Sequence, residues 1–451
     1  MMATAPKLDF GDFTRSKRVL HASQRQHQRA AKSLPLGVSD TYRYWGDDAT
    51  IYVKRGKGAL RWDLDGNRYL DFRLGWGPII LGYGDERVDR AARRGIEFGG
   101  VAALATELEA SVAELMIEMV PSIEKVRFAN SGSEAVATAL RVARGHSGRD
   151  GFVMVEGAFH GMFDPVLWRT QMETWSPASG EAPAVVPFGK GIPKAHRDLV
   201  GVVPLNDADA LEDLFRREKD KIGAFLMEPI LGNCCSIASR QRYLREVRLL
   251  CDKYDIVLIF DEVKTGFRVA RGGAQELYGV HPDLSTFAKS MGNGYPIAAL
   301  GGSAEIMKVI SGFDGVMHGG TFTGHPVSLA AAEETLRILR DTDALLRVEA
   351  WGRALQSELG AVFRAAELPH VFTGHPSMFG IMFREDLPES YRDWATSNHD
   401  LYDAMARALP DYGLLPEPDS REPWFVCEAH AEFDPADIAG AVAEVIATLE
   451  R

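Results

Sequence analysis

Short apolar runs alternate with stretches of helical spacing along most of this chain. Val257-Leu258-Ile259-Phe260 is an unbroken apolar run that ends in Asp261-Glu262-Val263. Such a run, rich in β-branched and aromatic side chains and bounded by charge, predicts a strand buried on both faces. Similar runs occupy residues 151–156, 199–203, 222–227, 284–287 and 297–300, and Pro204 closes one of them. Between them, residues 105–119, 130–143, 240–254 and 327–339 carry helical patterning, with Pro121 past the end of the first and Pro326 suited to the first turn of the last. Strand and helix in alternation predict an α/β fold with a mostly parallel sheet covered by helices on both sides.

Other patterns flank this region. Residues 59–72 alternate apolar and polar around Asp65-Gly66, a strong hairpin signal. Leu74-Gly75-Trp76-Gly77-Pro78 follows, and its glycines predict a loop that presents the indole. Residues 8–34 are polar and basic and read as a solvated helix. Beyond 326 the chain is rich in helix, with a strand pair near 376–384 and 424–428 and a last amphipathic helix over 435–450. The expected division is an N-terminal segment (1–75) that contributes to a small domain, a large domain (76–325) and a C-terminal small domain (326–451).

A chain of 451 residues has ample length for a large core. Its net charge of −12 argues against a general binder of nucleic acid or anionic membrane. The four cysteines (Cys234, Cys235, Cys251 and Cys427) form no CxxC, so neither a metal site nor a disulfide framework is expected, and Cys234 and Cys235 read as reduced, partly buried thiols. No apolar core of a secretory signal stands near the start and no run approaches a membrane span, so the expected location is the cytoplasm.

The chemistry gathers at predicted strand ends. Asp261 ends one strand, and Lys289 follows the run Leu284-Ser285-Thr286-Phe287. In open α/β sheets ligands sit at the carboxyl ends of strands. A lysine and an acid at one sheet edge suit pyridoxal phosphate: the amine forms a Schiff base with the aldehyde, and the acid pairs with the pyridinium nitrogen. Asn130-Ser131-Gly132-Ser133-Glu134 opens a helix whose free N–H groups suit an anion, though an ordinary capped helix reads the same way. Phe159-His160-Gly161 places an aromatic at a strand tip, where it can stack on a flat ring, beside a histidine that could support it, although a lone histidine is more often structural. Glu228 ends another strand. Arg43 lies among aromatics, where it could grip a carboxylate or simply pack. Thr321, in a small-residue loop before Pro326, could donate to a phosphate.

Together these residues resemble class III (subgroup II) aminotransferases, pyridoxal phosphate enzymes of fold-type I, from about residue 35 to the C-terminus. The signature is the strand ending Asp261-Glu262-Val263 with Lys289 placed 28 residues after Asp261. Gly37-Val38 with Arg43, Trp76-Gly77-Pro78, Gly266-Phe267-Arg268-Val269 and Ser377-Met378-Phe379 are similar to the glutamate-1-semialdehyde 2,1-aminomutase group and its transaminase relatives. The resemblance implies that Lys289 carries the cofactor and Asp261 its pyridine nitrogen. It implies that Ser131, Gly132 and Ser133 hold the phosphate, and that Phe159 and Val263 cover the two ring faces with His160 in support. Glu228 and Asn233 would lie near the cofactor O3′ or the substrate. Thr321 would reach the phosphate of a neighbouring subunit, giving a homodimer with shared active sites. Arg43 would face a substrate carboxylate, and Trp76 would line the pocket.

Two departures fall at the expected pocket. Leu74-Gly75 replaces the aminomutase Gly-Ser, and Gly292-Asn293-Gly294-Tyr295-Pro296 replaces Gly-Gly-Gly-Leu-Pro. The expected reaction is therefore amino transfer between a carboxylate-bearing amine, of β- or ω-amino acid type, and a keto acid. Aminomutase chemistry is the alternative, with a racemase or decarboxylase behind it. A non-catalytic binding protein has no need of both Lys289 and Asp261. The stretch from Arg268 to Gln275 reads as a candidate gate.

Overall fold

The computed structural model describes Phe13, residues 16–176 and residues 182–449. Seven strands form the central sheet, in the order Lys125–Ala129, Ala298–Gly302, Leu284–Phe287, Val257–Asp261, Ile222–Met227, Gly151–Val155 and Val200–Val203. Each pairing from Leu284–Phe287 to Val200–Val203 is parallel, and Ala298–Gly302 runs antiparallel to both its neighbours. The mostly parallel sheet is thus present, and the continuous apolar runs are explained by burial on both faces. Successive strand residues point to opposite faces. Leu258 and Phe260 accordingly enter one core with Phe225 and with Val247 of helix Gln241–Tyr254. Val257 and Ile259 enter another with Leu226 and with Val136 and Leu140 of helix Gly132–Ser147.

The hairpin around Gly66 joins Leu60–Asp63 to Arg68–Asp71, and Leu414–Leu415 adds to it as a parallel strand, so residues near both ends of the chain share one sheet. The Asp63 carboxylate accepts the N–H groups of Asp65 (3.0 Å) and Asn67 (2.8 Å), which fixes the turn. A third sheet joins Val371–His375, Met378–Met382 and Trp424–Phe425, and includes the strand pair expected there. Helices Pro326–Asp341, Ala344–Ala365 and Pro435–Thr448 contribute Leu336, Leu355 and Val442 to the core that it shares.

Two expectations need correction. Part of the 8–34 stretch lies outside the described residues. Within it, helix His21–Ala30 is not solvated all round: it buries Ser23, His27 and Ala30. The hairpin supplies its cap, because the Asp65 carboxylate accepts from the N–H groups of Ala22 (2.6 Å) and Ser23 (2.9 Å). Cys234 and Cys235 are wholly rather than partly buried. Among the described residues, no helix is long and apolar enough to cross a membrane.

Candidate active site

Three adjacent parallel strands deliver carboxylates to one edge of the sheet: Glu156, Glu228 and Asp261, all buried. Each has different partners. Glu156 accepts both arms of the Arg392 guanidinium, at 2.8 Å each. Glu228 accepts the N–H groups of Phe159 (2.9 Å) and Gly232 (3.0 Å), tying two loops to the edge. Burial, with Asp261 nearby, holds its carboxyl above the usual range. Asp261 accepts from His160 Nδ1 at 2.8 Å, Val263 N–H at 3.1 Å and Thr286 Oγ1 at 3.3 Å. Three donors fix one carboxylate, while the far nitrogen of His160 is buried without a partner among the described residues.

Asp261 stands opposite Thr286 in the parallel register, and Lys289 follows three residues on. Strand register thus brings acid and lysine to the same edge. Lys289 has φ +48°, a left-handed conformation disfavoured for a side chain with a Cβ. Among the described residues none accepts a hydrogen bond from its ammonium or pairs with it. Burial first, then the nearby Lys264 ammonium, lower its pKa to about 8. A half-buried ammonium without a partner, on a strained backbone, is costly unless something else occupies the space beside it.

The helix Gly132–Ser147 begins beside this edge. Ser131 Oγ accepts from the Glu134 N–H (3.3 Å), while the Glu134 carboxylate reaches the Asn130 N–H (2.8 Å). The capping-box spacing is therefore used with its return bond one residue early. A Cβ on Gly132 would lie 3.0 Å from Val263, so the helix start and the Asp261 strand end meet closely. Ser133 Oγ accepts from the Met162 N–H at 3.0 Å, which links the helix to the Phe159 loop.

A cavity of about 770 Å³ opens over Lys289. Ser133, Phe159, Trp76 and Asn233, four of the residues singled out in the sequence, line it. The Trp76 loop is strained, with Leu74, Gly75, Trp76 and Gly77 all at positive φ. It is held by Trp76 Nε1 donating to Glu417 Oε2 (3.1 Å) and by Arg73 Nε donating to the same oxygen (2.6 Å). Arg43 stands outside the lining, exposed, 5.9 Å from the Trp76 ring, with Ser39 Oγ at 3.1 Å and no carboxylate partner among the described residues. Thr321 is exposed and lies outside the cavity of its own chain.

The Arg268–Gln275 stretch is anchored and does not form a free gate. Glu262 accepts the N–H groups of Ala274 (2.7 Å) and Gln275 (2.9 Å) and the Thr265 hydroxyl (2.5 Å). Arg268 is fully enclosed by backbone carbonyls. Sequence reasoning missed Lys264, Glu417 and Glu422 in the wall. Lys264 stands next to the strand-end motif, where a lysine ordinarily reads as solvated. The two glutamates come from a segment with no periodic signal.

Comparison with known proteins matches this geometry. The family profile of Aminotransferase class-III matches residues 41–415. A glutamate-1-semialdehyde 2,1-aminomutase of Aquifex aeolicus is 35% identical over 412 residues, covering 91% of this chain and 96% of that one. An omega-transaminase from Sphaerobacter thermophilus is 32% identical with a TM-score of 0.88, covering 94% of this chain and 97% of that one. A β-phenylalanine aminotransferase from Variovorax paradoxus is 27% identical with a TM-score of 0.82, covering 94% of each chain. Sheet, strained lysine and fixed acid define a fold-type I enzyme that uses pyridoxal phosphate. The chain belongs to the class III aminotransferases.

Proposed function

We propose that this enzyme moves an amino group between a carboxylate-bearing amine, of β- or ω-amino acid type, and a keto acid. The observation that carries the reading is Lys289, half-buried beneath a cavity and, like the exposed Arg43 beside the Trp76 ring, without a carboxylate partner among the described residues. When bound, pyridoxal phosphate supplies the carbonyl that takes the amine and the electron sink that acidifies the neighbouring C–H bond. Lys289 would hold the cofactor through Nζ. Once free, Nζ takes a proton from the amine-bearing carbon and later returns one, as general base and acid. Its lowered basicity populates the neutral amine near neutral pH. Asp261, locked by His160, would keep the pyridine nitrogen protonated. Ser131, Gly132 and Ser133 would hold the phosphate, and Phe159 and Val263 would pack on the ring faces. Glu228 and Asn233 would border O3′ or the substrate. Arg43 would take the substrate carboxylate in a fork, with Trp76 shielding the pair from water.

The aminomutase reaction is the second reading, supported by the name of the Aquifex relative. We also infer a homodimer in which Thr321 serves the partner's phosphate site. Ile96 and Leu104 are 62% and 82% exposed, and Phe313 and Phe322 are 92% and 58% exposed. The segments carrying Ile96, Leu104 and Phe322 are neighbours, since Gly95 packs on Pro326 and Gly324 on Glu109. An apolar patch of this kind marks an interface. The division at residues 75 and 325, and a cytoplasmic location, belong to the same proposal.

The test is a half-reaction. Purified enzyme is loaded with pyridoxal phosphate and offered amines without a keto acid, while its visible absorbance and the carbonyl product are followed. Bleaching with stoichiometric carbonyl supports the transaminase and names its donor. No conversion of any amine, with glutamate 1-semialdehyde isomerised instead, establishes the aminomutase. Absence of a visible band after loading overturns both.

A further inference from the structure

The wall of the Lys289 cavity contains a second lysine, and this one is buried. Lys264 Nζ donates to Glu422 Oε2 at 2.7 Å and to the Gly232 carbonyl at 2.7 Å. The two side chains of this ion pair are 5% and 14% exposed, and both line the cavity together with Lys289. Asn233 Nδ2 donates to the other oxygen of Glu422, closing a ring of contacts. The ring is built to fit, because a Cβ on Gly232 would overlap the Lys264 stem. Of the other wall carboxylates, Glu417 is paired with Arg73, while Asp40 and Asp419 accept the backbone N–H groups of Tyr42 and Arg421, and the Arg421 side chain adds a further cation to the lining. Among the described residues, Lys264 is the only cation paired with Glu422.

We infer that Lys264 is a specificity-determining residue: by neutralising Glu422 it makes the cavity wall reject amines that carry a second positive charge. This rests on the functional reading above. Removing a cation while leaving its buried partner exposes an uncompensated charge in a medium of low dielectric. A wall with Glu422 unpaired would attract the distal ammonium of a diamine. The Lys264 ammonium also acts on Lys289, whose basicity it helps to depress.

The test compares wild type, Lys264→Met and Lys264→Arg as pyridoxal phosphate-loaded enzymes. Bleaching of the visible absorbance is titrated with putrescine and with γ-aminobutyrate, two primary amines of equal length whose far ends carry opposite charge. In Lys264→Met the half-saturating concentration for putrescine relative to γ-aminobutyrate is expected to fall roughly tenfold or more, the size of one unscreened charge contact. Lys264→Arg should keep the wild-type ratio. In the cofactor-free proteins, the pH midpoint for capture of pyridoxal phosphate by Lys289 should rise in Lys264→Met alone, which simple loosening of the wall would not produce. A ratio within twofold of wild type, including the case in which no protein responds to putrescine, overturns the inference while the enzyme reading stands. Wild type that captures no cofactor sinks that reading and the inference with it.

Discussion

His160 Nδ1 lies 2.8 Å from Asp261 Oδ2, and both side chains are buried at the edge of the central sheet. A histidine that reads ambiguously in the sequence thus orients the carboxylate of the signature strand. His160→Leu removes that contact and leaves Asp261 short of a donor. The affinity for pyridoxal phosphate is expected to fall about 10- to 100-fold, the size of a lost hydrogen bond to a charged group. Equilibrium binding to the cofactor-free protein measures it, and a change below twofold would contradict the assignment.

Lys289 gives a pH dependence with a definite sign. Burial disfavours the ammonium, so its pKa falls from the ordinary 10.5 to about 8. Below that value the amine is protonated and inert, and above it the amine is free. Capture of pyridoxal phosphate by cofactor-free enzyme, trapped by borohydride and read by mass, should rise with pH and level off above about 8. A profile still climbing past pH 10 would refute the burial argument.

Glu417 provides a second titration, on the acid side. Burial raises its carboxyl from 4.5 to about 6, with Arg73 opposing the shift. Above that pH the anion holds Arg73 and the Trp76 indole; below it the neutral acid releases its grip. The fluorescence of Trp76, taken as the difference between wild type and Trp76→Phe, should change with a midpoint of about 6. Glu417→Gln should abolish the transition.

Glu262 is a structural carboxylate beside a chemical one. It serves two backbone N–H groups and a hydroxyl with two oxygens. An amide has one acceptor and would turn its NH₂ toward a donor. Glu262→Gln is therefore expected to lower stability by about 2–4 kcal/mol in urea unfolding, the cost of unmet buried groups. A loss below about 0.5 kcal/mol would show that the loop relaxes around the change.

The dimer face can be tested without touching the cavity. Leu104→Asp places a charge in the most exposed apolar residue of one patch segment. Sedimentation should show dimeric wild type and a variant shifted toward monomer, with cofactor retention falling in parallel if Thr321 serves its partner. A monomeric wild type would remove the proposal.

What could be read from the sequence depended on range. The strand Val257–Asp261 was legible because burial on both faces demands a continuous apolar run, and its end located the acid. Lys289 was legible because a second such run precedes it. The hairpin at Asp65-Gly66 was legible from alternation, but its second use, capping helix His21–Ala30, was not, since the helix lies some forty residues away. The same limit hid Lys264 with Glu422, and Glu156 with Arg392, partners separated by 158 and 236 positions. Charged residues without periodicity carry no local sign of the partner that will bury them.

Arg268 spans such a range three times over. Its guanidinium donates to the carbonyls of Gly77 (2.6 Å), Ile79 (3.1 Å), Ser377 (3.1 Å) and Val426 (2.8 Å), with no carboxylate partner among the described residues. The first two acceptors lie within and just after the strained Trp76 loop, and the other two come from far along the chain. A chain that has not reached Ser377 lacks half of these acceptors, so the loop has less to hold it. The shape of the pocket is thereby tied to segments far along the chain.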